Sequence, residues 1–288
     1  MNHDLICILG PTASGKTKYA VRLALETGGE IISADSRQVY RGMDIGTGKD
    51  LSEYTVNGVQ VPYHLIDIAD AGEKYNLFQF QKDFERVYND IRSRGRLPIL
   101  CGGTGLYIDA VTRGYSLAEV PENPELRADL EMLSMEELSA RLEGMKKMHN
   151  KSDIDSKKRV IRALEIEIYR QNSPVEYVQT APINTRFIGI SVSREDRNAR
   201  IDKRLRERLE GGMIEEVRRL IDLGISPDDL IYYGLEYKFV TLFILGRLTY
   251  DQMERQLAIA IHQFAKRQMT WFRGMERRGV KIEWVENR

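Results

Sequence analysis

A glycine-rich loop near the start of the chain has the residue types that bind phosphate groups. The segment GPTASGKT fits the pattern G-x-x-x-x-G-K-[ST] between a predicted strand and a predicted helix. Backbone N–H groups of such a loop wrap an anion, its lysine reaches a terminal phosphate and its threonine hydroxyl holds Mg²⁺. We therefore predict a diphosphate or triphosphate site. Its residues are Gly10, Pro11, Thr12, Ala13, Ser14, Gly15, Lys16 and Thr17, with Thr17 as the metal ligand.

Two further polar residues are candidates for chemistry beside this loop. Asp35 ends the predicted strand 30–35, and carboxyl ends of strands line the ligand crevice of an open α/β sheet. Thr104 follows the predicted strand 97–101, where glycines lead into a helix. From spacing alone, Asp35 could instead cap the next turn, and Thr104 could be a helix N-cap. Asp67 could be the magnesium-binding acid that phosphoryl-transfer enzymes place on a neighbouring strand.

The elements that must position these residues alternate between strands and helices. Strands are predicted at residues 5–9, 30–35, 61–68, 97–101, 185–191 and 280–286. One helix is predicted directly after the phosphate loop, and another begins after a cap at Asn76. Two more are predicted within 123–144 and one over 152–171. The C-terminal part has a helix over 194–212, two further helices before residue 249, and one over 249–275. Such alternation predicts a parallel sheet with crossover helices. The fold class is α/β, a P-loop NTPase-like parallel sheet flanked by helices, with an all-helical insertion.

The middle of the chain is predicted to be a helical insertion between two parts that contain strands. No strand-like run occurs in residues 115–182, whereas strands occur on both sides. We therefore predict a P-loop α/β core with C-terminal helices, built from residues 1–114 and 183–288. The helical insertion comprises residues 115–182.

Composition excludes several classes of protein. The 288 residues include 43 basic and 43 acidic side chains, so the net charge is zero, but six basic residues and one acid fall within 264–281. The two cysteines lie in apolar runs and are expected to be reduced core thiols. No Cys/His cluster has the spacing of a zinc finger. Without a membrane-length apolar run or a secretory signal, we expect a cytoplasmic monomer that needs no membrane and no protein partner.

Six segments occur in an order that resembles one known family. They are GPTASGKT, ADSRQVYRGMDIGTGK, HLIDI, GGTGLY, VIRALE and AKRQMTWFR, beginning at residues 10, 34, 64, 102, 160 and 265. Phosphate loops are common, but the second and last segments together are specific. The set, which spans nearly the whole chain, resembles the tRNA dimethylallyltransferase family, also called tRNA isopentenyltransferases, in its bacterial form.

The resemblance implies a reaction in which the bound phosphates leave. Members transfer a dimethylallyl group from dimethylallyl diphosphate to the exocyclic amine of the adenosine on the 3′ side of the anticodon. Mg²⁺ and Lys16 would stabilise the departing diphosphate. Asp35 would be the general base, and Thr104 a partner at the diphosphate or the base. Arg200 and Arg204 match arginines near the diphosphate.

The resemblance also implies contacts with the tRNA anticodon stem-loop. The matching residues are Asp35, Ser36, Arg37, Gln38, Thr104, Arg127, Lys158, Arg159, Val160, Ile161 and Arg162. For any one of the arginines, a solvated helix face is the alternative. The run YYGLEYKFV at 232–240 departs from the glycine-tyrosine-lysine-glutamate run usual in the family, so the resemblance assigns no tRNA contact there.

Three other functions use part of the same pattern. An adenylate isopentenyltransferase would share the catalytic core and prenylate a free nucleotide. A P-loop small-molecule kinase would share the phosphate loop, and a non-catalytic RNA-binding protein would share the basic helices. The helical insertion favours tRNA as the acceptor, and the phosphate loop beside Asp35 favours an enzyme.

Overall fold

The computed structural model describes residues 3–145, 156–172 and 181–286. Its contacts divide the chain into two compact units, one of Met1–Tyr115 with Ala181–Arg288 and one of Ser116–Thr180. The strands are β1 Leu5–Leu9, β2 Glu30–Ser33, β3 Thr55–Val56, β4 Val59–Gln60, β5 Tyr63–His64, β6 Pro98–Gly102, β7 Thr185–Ser191 and β8 Ile282–Glu286. Helices of the first unit are α1 Lys16–Thr27, α2 Leu77–Ser93, α3 Gly105–Thr112, α7 Arg194–Glu210, α8 Met213–Asp222, α9 Pro227–Tyr233, α10 Leu235–Ile244 and α11 Tyr250–Arg277. Helices of the second unit are α4 Pro124–Glu131, α5 Met135–Met145 and α6 Lys157–Asn172.

The first unit is built on a six-stranded parallel sheet. The strand order is β5-β2-β6-β1-β7-β8, with Cys7 of β1 opposite Leu100 on one side and Phe187 on the other. Side chains of β1 alternate between two apolar clusters on the two faces of the sheet. Leu5, Cys7 and Leu9 belong to one cluster, and Ile6 and Ile8 belong to the other. A strand buried on both faces is typical of an α/β sheet covered by helices, so the predicted fold class is confirmed.

Several predicted elements are confirmed in detail. Strands 5–9 and 185–191 have the predicted bounds. Asn76 begins α2 with a reciprocal capping box to Gln79, which satisfies two backbone donors of the first turn. Cys7 and Cys101 are buried and form no disulfide.

The predicted strand at 61–68 is wrong for most of its length, because only Tyr63–His64 pairs with β2. Leu65 and Asp67 have left-handed backbones, with φ 62° and 55°, which end the strand. The Asp67 carboxylate accepts a hydrogen bond from the buried ammonium of Lys49, which also donates to Asp44 Oδ1 at 2.9 Å. This pairing involves residues distant in sequence and supports the turn.

Three other differences have local causes. The strand predicted at 30–35 ends at Ser33. Three helices, α8, α9 and α10, replace the two expected before residue 249, because the backbone at Gly234 (φ 149°) separates α9 from α10. A hairpin of β3 and β4 was not predicted, although Asn57 and Gly58 between them have the positive φ values of a type I′ turn, 51° and 78°.

The second unit has its own small core. Leu130, Leu138, Leu142 and Leu164 pack together where α4, α5 and α6 meet. Residues 152–155 of the helix predicted at 152–171 lie outside the described residues, and the described helix runs over Lys157–Asn172. Among helices in the described ranges, none is both long and apolar enough to cross a bilayer.

A buried carboxylate at the start of β2 makes a testable contribution to stability. Hydrogen bonds from Arg94, at 2.9 Å to Oε2, and then from His64, at 2.8 Å, hold the pKa of Glu30 at about 2, below its ordinary value of 4.5. Because the folded-state pKa is the lower one, this contribution is complete above about pH 4.5 and is lost as the pH falls toward 2.

Glu30→Gln is expected to lower the free energy of unfolding by about 2 kcal/mol at pH 7, because Arg94 and His64 lose a charged hydrogen-bond acceptor. Urea titrations of both proteins between pH 7 and pH 3 measure this difference, which should shrink as the pH falls below 4.5. A difference that stays constant over that range would show that the charge of Glu30 does not stabilise the fold.

Candidate active site

The phosphate loop connects β1 to α1 through two left-handed backbone conformations. Ala13 has φ 60° and Gly15 has φ 81°, a region that glycine adopts freely and alanine only with strain. At Gly10, a Cβ atom would lie 2.8 Å from Ser14 Oγ and 3.2 Å from the Ile190 carbonyl. The loop is therefore compact, with the turns that let successive N–H groups face an anion.

Two cations face this loop. Burial is the main cause that lowers the pKa of Lys16. Arg204 of α7 donates from Nη2 to Thr12 Oγ1, and burial, followed by repulsion from Arg208, lowers its pKa to about 10. With a pKa of about 10, Arg204 stays protonated at neutral pH, so its charge favours an anion at the loop. Arg200, predicted to act with Arg204, is exposed on α7 and is not among the described residues that line the cleft.

A cleft that is open to solvent lies beside the loop. Lys16, Thr17, Asp35 and Arg204 line it together with Gln38. A carboxylate, two cations and a hydroxyl from separate parts of the sequence thus share one cavity. This is the arrangement of ligand sites at the carboxyl edge of a parallel sheet.

Asp35 and Thr104 are brought together because β2 and β6 are neighbours. Asp35 Oδ1 accepts from the backbone N–H of Arg37 at 2.9 Å. This is the turn-capping bond that the alternative for Asp35 predicted, and it also fixes the carboxylate. The Thr104 hydroxyl accepts from the N–H of Ser36 at 3.1 Å and makes no capping bond to its own helix. A Cβ on Gly102 would lie 2.2 Å from the Ala34 carbonyl, so this glycine permits the close approach. Thr104 occupies the N-cap position of α3, as the alternative predicted, but its side chain makes no capping hydrogen bond.

Gln268 of α11 is a residue that sequence reasoning left without a role. Its Oε1 accepts from the N–H of Thr12 at 2.8 Å, and its Nε2 donates to the Gly103 carbonyl at 3.0 Å. It therefore ties the phosphate loop to the segment that carries Thr104. The only sequence signal was its place within the segment AKRQMTWFR.

Glu216 of α8 is a second residue that was missed. Its carboxylate accepts from the N–H groups of Asp44, Ile45 and Gly46 at 2.9, 2.8 and 3.0 Å, and from the Tyr237 hydroxyl at 2.7 Å. These bonds fix the loop that continues to the cleft wall at Thr47–Lys49. Glu216 is 170 residues away from the loop that it holds, so no local pattern predicted the contact.

The cleft offers oxygen donors of the kind that Mg²⁺ prefers. The Thr17 hydroxyl and the carboxylates of Asp50 and Glu53 line it, and burial is the main cause that raises the pKa of Glu53. Within the described ranges, no three His, Cys, Asp or Glu side chains group closely enough to hold a metal by themselves. These residues fit Mg²⁺, which proteins commonly hold with one or two side chains plus substrate phosphates.

In the second unit, two predicted tRNA-contacting arginines surround one buried carboxylate. Arg127 donates to Glu165 through Nε at 3.0 Å and Nη2 at 2.8 Å, and Arg162 also donates to Glu165. The N–H of Asn123 adds a bond of 2.7 Å to the same carboxylate. Much of the donor capacity of both arginines is therefore used within the unit.

The remaining predicted residues of α6 differ in exposure. Lys158 and Arg159 are exposed, whereas Val160 and Ile161 are buried in the core of the second unit. On this helix, the two exposed basic residues can meet a phosphate backbone, and the two apolar residues support the helix that presents them.

Comparison with known proteins gives consistent matches. The family model described as IPP transferase matches residues 38–275, and the one described as isopentenyl transferase matches residues 3–63. A tRNA dimethylallyltransferase 2 of Bacteroides fragilis is 60% identical over 285 residues, which cover 99% of this chain and 93% of that protein. A tRNA dimethylallyltransferase 1 of Parabacteroides distasonis is 59% identical with the same coverage.

Solved structures give matches of the same kind. The full-length tRNA isopentenylpyrophosphate transferase of Bacillus halodurans has a TM-score of 0.71 and 35% identity, with 98% of this chain and 89% of that chain covered. A eukaryotic dimethylallyltransferase, solved acting on tRNA, has a TM-score of 0.77 over 98% of this chain and 73% of its own. At 24% identity, this second likeness establishes the fold alone.

Proposed function

The chain belongs to the IPP transferase family of tRNA dimethylallyltransferases, and we propose that it transfers a dimethylallyl group from dimethylallyl diphosphate to tRNA. The acceptor is the exocyclic amine of the adenosine on the 3′ side of the anticodon, and diphosphate is released. The observation that carries this assignment is the shared cleft, in which Asp35 lies beside a phosphate loop flanked by Lys16 and Arg204.

In this proposal, the phosphate loop holds a leaving group. The bond between the allylic carbon and the diphosphate oxygen breaks, and its electron pair stays on the diphosphate. Lys16, Arg204 and the loop N–H groups stabilise the negative charge that develops there. Both side chains are half-buried, and Arg204 is already held by its hydrogen bond to Thr12 Oγ1, so little reorganisation of Arg204 is needed during the reaction.

In this proposal, Asp35 removes the proton from the adenosine amine. The adenosine amine attacks the allylic carbon, and the new C–N bond leaves a proton to be removed. The N–H of Arg37 holds Asp35 Oδ1 at 2.9 Å, and the second carboxylate oxygen accepts the amine proton. The Thr104 hydroxyl accepts from the N–H of Ser36 at 3.1 Å and donates to Ser36 Oγ at 3.5 Å. It can exchange that long bond for one to the reacting base or the diphosphate.

Mg²⁺ would be held by Thr17 together with the substrate phosphates, near Asp50 and Glu53. When bound, it supplies further positive charge against the departing diphosphate. The tRNA would be held at its anticodon stem-loop by Ser36–Gln38 and by the exposed basic residues of α6, and the target base must leave its stack to reach Asp35.

The acceptor distinguishes this function from that of an adenylate isopentenyltransferase. Purified protein is incubated with labelled dimethylallyl diphosphate and either unmodified tRNA or AMP, and the nucleosides are analysed by mass. We expect the five-carbon group on one tRNA adenosine and none on AMP. Prenylated AMP with unmodified tRNA would overturn the assignment of the acceptor.

A further inference from the structure

An exposed aromatic side chain lies in the stretch where the sequence departs from the family pattern. Tyr232, near the end of α9, is 50% exposed. The guanidinium carbon of Arg37 lies 5.6 Å from the centre of its ring, within range of a cation–π contact. A Cβ on Gly234 would be 3.7 Å from Arg37 Nε, so the arginine runs along the backbone that follows the tyrosine.

This pair rests on a rigid base. Tyr232 meets Tyr233 edge to face at 5.9 Å, and Tyr233 meets the buried Tyr40 at 4.6 Å. The Tyr233 hydroxyl accepts from the N–H of Gly72 and donates to the Glu73 carbonyl, each at 2.7 Å. Tyr233 therefore packs against the ring of Tyr232, and half of the surface of residue Tyr232 is exposed to solvent.

The pair also lies next to the reacting groups. The N–H of Arg37 is bonded to Asp35 Oδ1 at 2.9 Å. Arg37 thus contacts Asp35 through its backbone N–H and the ring of Tyr232 through its guanidinium.

We propose that Tyr232 and Arg37 form a stacking platform for an unpaired RNA base that flanks the reacting adenosine. This inference rests on the proposed function. Proteins hold single-stranded bases on aromatic rings and arginine planes, and Arg37 also offers charge to the adjacent phosphate. Once the target adenosine has left its stack, the adjacent base loses its stacking partner. The platform then stacks on that adjacent base in place of the adenosine. The platform would hold the loop in register with Asp35.

Tyr232→Ala is expected to raise the KM for an anticodon stem-loop about tenfold, because one stacking contact is lost. Its kcat and its KM for dimethylallyl diphosphate should stay near those of the parent protein. Tyr232→Phe should retain the parent KM, since the ring is kept. With 2-aminopurine as the flanking base, binding to the parent and to Tyr232→Phe should quench fluorescence, and binding to Tyr232→Ala should not.

Tyr250→Ala is the matched control, because Tyr250 is 42% exposed and contacts Phe243 edge to face at the start of α11. It should leave both the KM and the quenching unchanged. Unaltered quenching in Tyr232→Ala, or an equal loss with Tyr232→Phe, would overturn the platform. If Tyr232→Ala does not fold, Tyr232→Leu keeps the apolar contact and gives the same test. Binding and quenching are measured without turnover, so failure of the prenyl transfer itself would be seen separately.

Discussion

Asp35→Asn is expected to lower kcat for prenyl transfer by about 10²–10⁴-fold, the usual contribution of a positioned general base. Asparagine has nearly the same shape and can still accept the N–H of Arg37, now 2.9 Å from Oδ1, so the local turn should persist. The amide cannot take the proton from the adenosine amine. Single-turnover prenylation of tRNA measures the loss, and tRNA affinity, measured on the same preparation, should be unchanged.

Asp70→Asn provides the control for that experiment. Asp70 is an exposed acid paired with Arg41 at 2.7 Å, away from the residues that line the cleft. This variant should prenylate tRNA at the parent rate. Parent-like turnover in Asp35→Asn would remove the general base from the mechanism, whereas an equal loss of tRNA affinity would assign Asp35 to binding.

Lys16→Ala is expected to reduce kcat/KM for dimethylallyl diphosphate by roughly 10²–10³-fold, as when one charge-stabilising donor is removed from an active site. The lysine is desolvated beside the phosphate loop, so its charge acts there more strongly than in water. The measurement is the rate of diphosphate release at limiting substrate. Binding of the tRNA alone should be retained, because it uses other residues.

Lys18→Ala separates the local role of Lys16 from a general effect of charge. Lys18 lies two residues further along α1, with 74% of its side chain exposed and Glu53 at 3.8 Å. Its removal should leave kcat/KM for dimethylallyl diphosphate nearly unchanged. Equal losses in both variants would mean that helix α1 attracts the substrate only by its overall charge.

The parts of the site that sequence analysis predicted are those with local patterns. The phosphate loop follows a fixed spacing of glycines, Lys16 and Thr17, and it lies between β1 and α1 as its motif requires. Asp35 and Thr104 were located because the apolar runs before them end at one edge of a parallel sheet. Their assigned catalytic roles remain predictions.

The parts that were not predicted depend on long-range contacts. Gln268 reaches the phosphate loop across 256 positions, and Glu216 reaches Gly46 across 170. Periodicity assigns both residues to helices but does not show which loops they meet. The apolar run that contains Asp67 predicts a strand. The structure has a left-handed turn there, supported by the ion pair between Asp67 and Lys49, and apolar content alone does not indicate that pairing.

The contact between Tyr232 and Arg37 likewise depends on packing between distant parts of the chain. The two residues are far apart in the sequence. Only the packing of Tyr40, Tyr232 and Tyr233 brings the ring beside Arg37.

We infer that the phosphate loop holds a leaving group and does not present a phosphoryl donor. The most direct test is the stoichiometry of the reaction with unmodified tRNA, dimethylallyl diphosphate and Mg²⁺, with γ-labelled ATP in a parallel sample. We expect one diphosphate to be released for each prenylated adenosine, and no label to be transferred from ATP. Label transferred to an acceptor, with the tRNA left unprenylated, would contradict it.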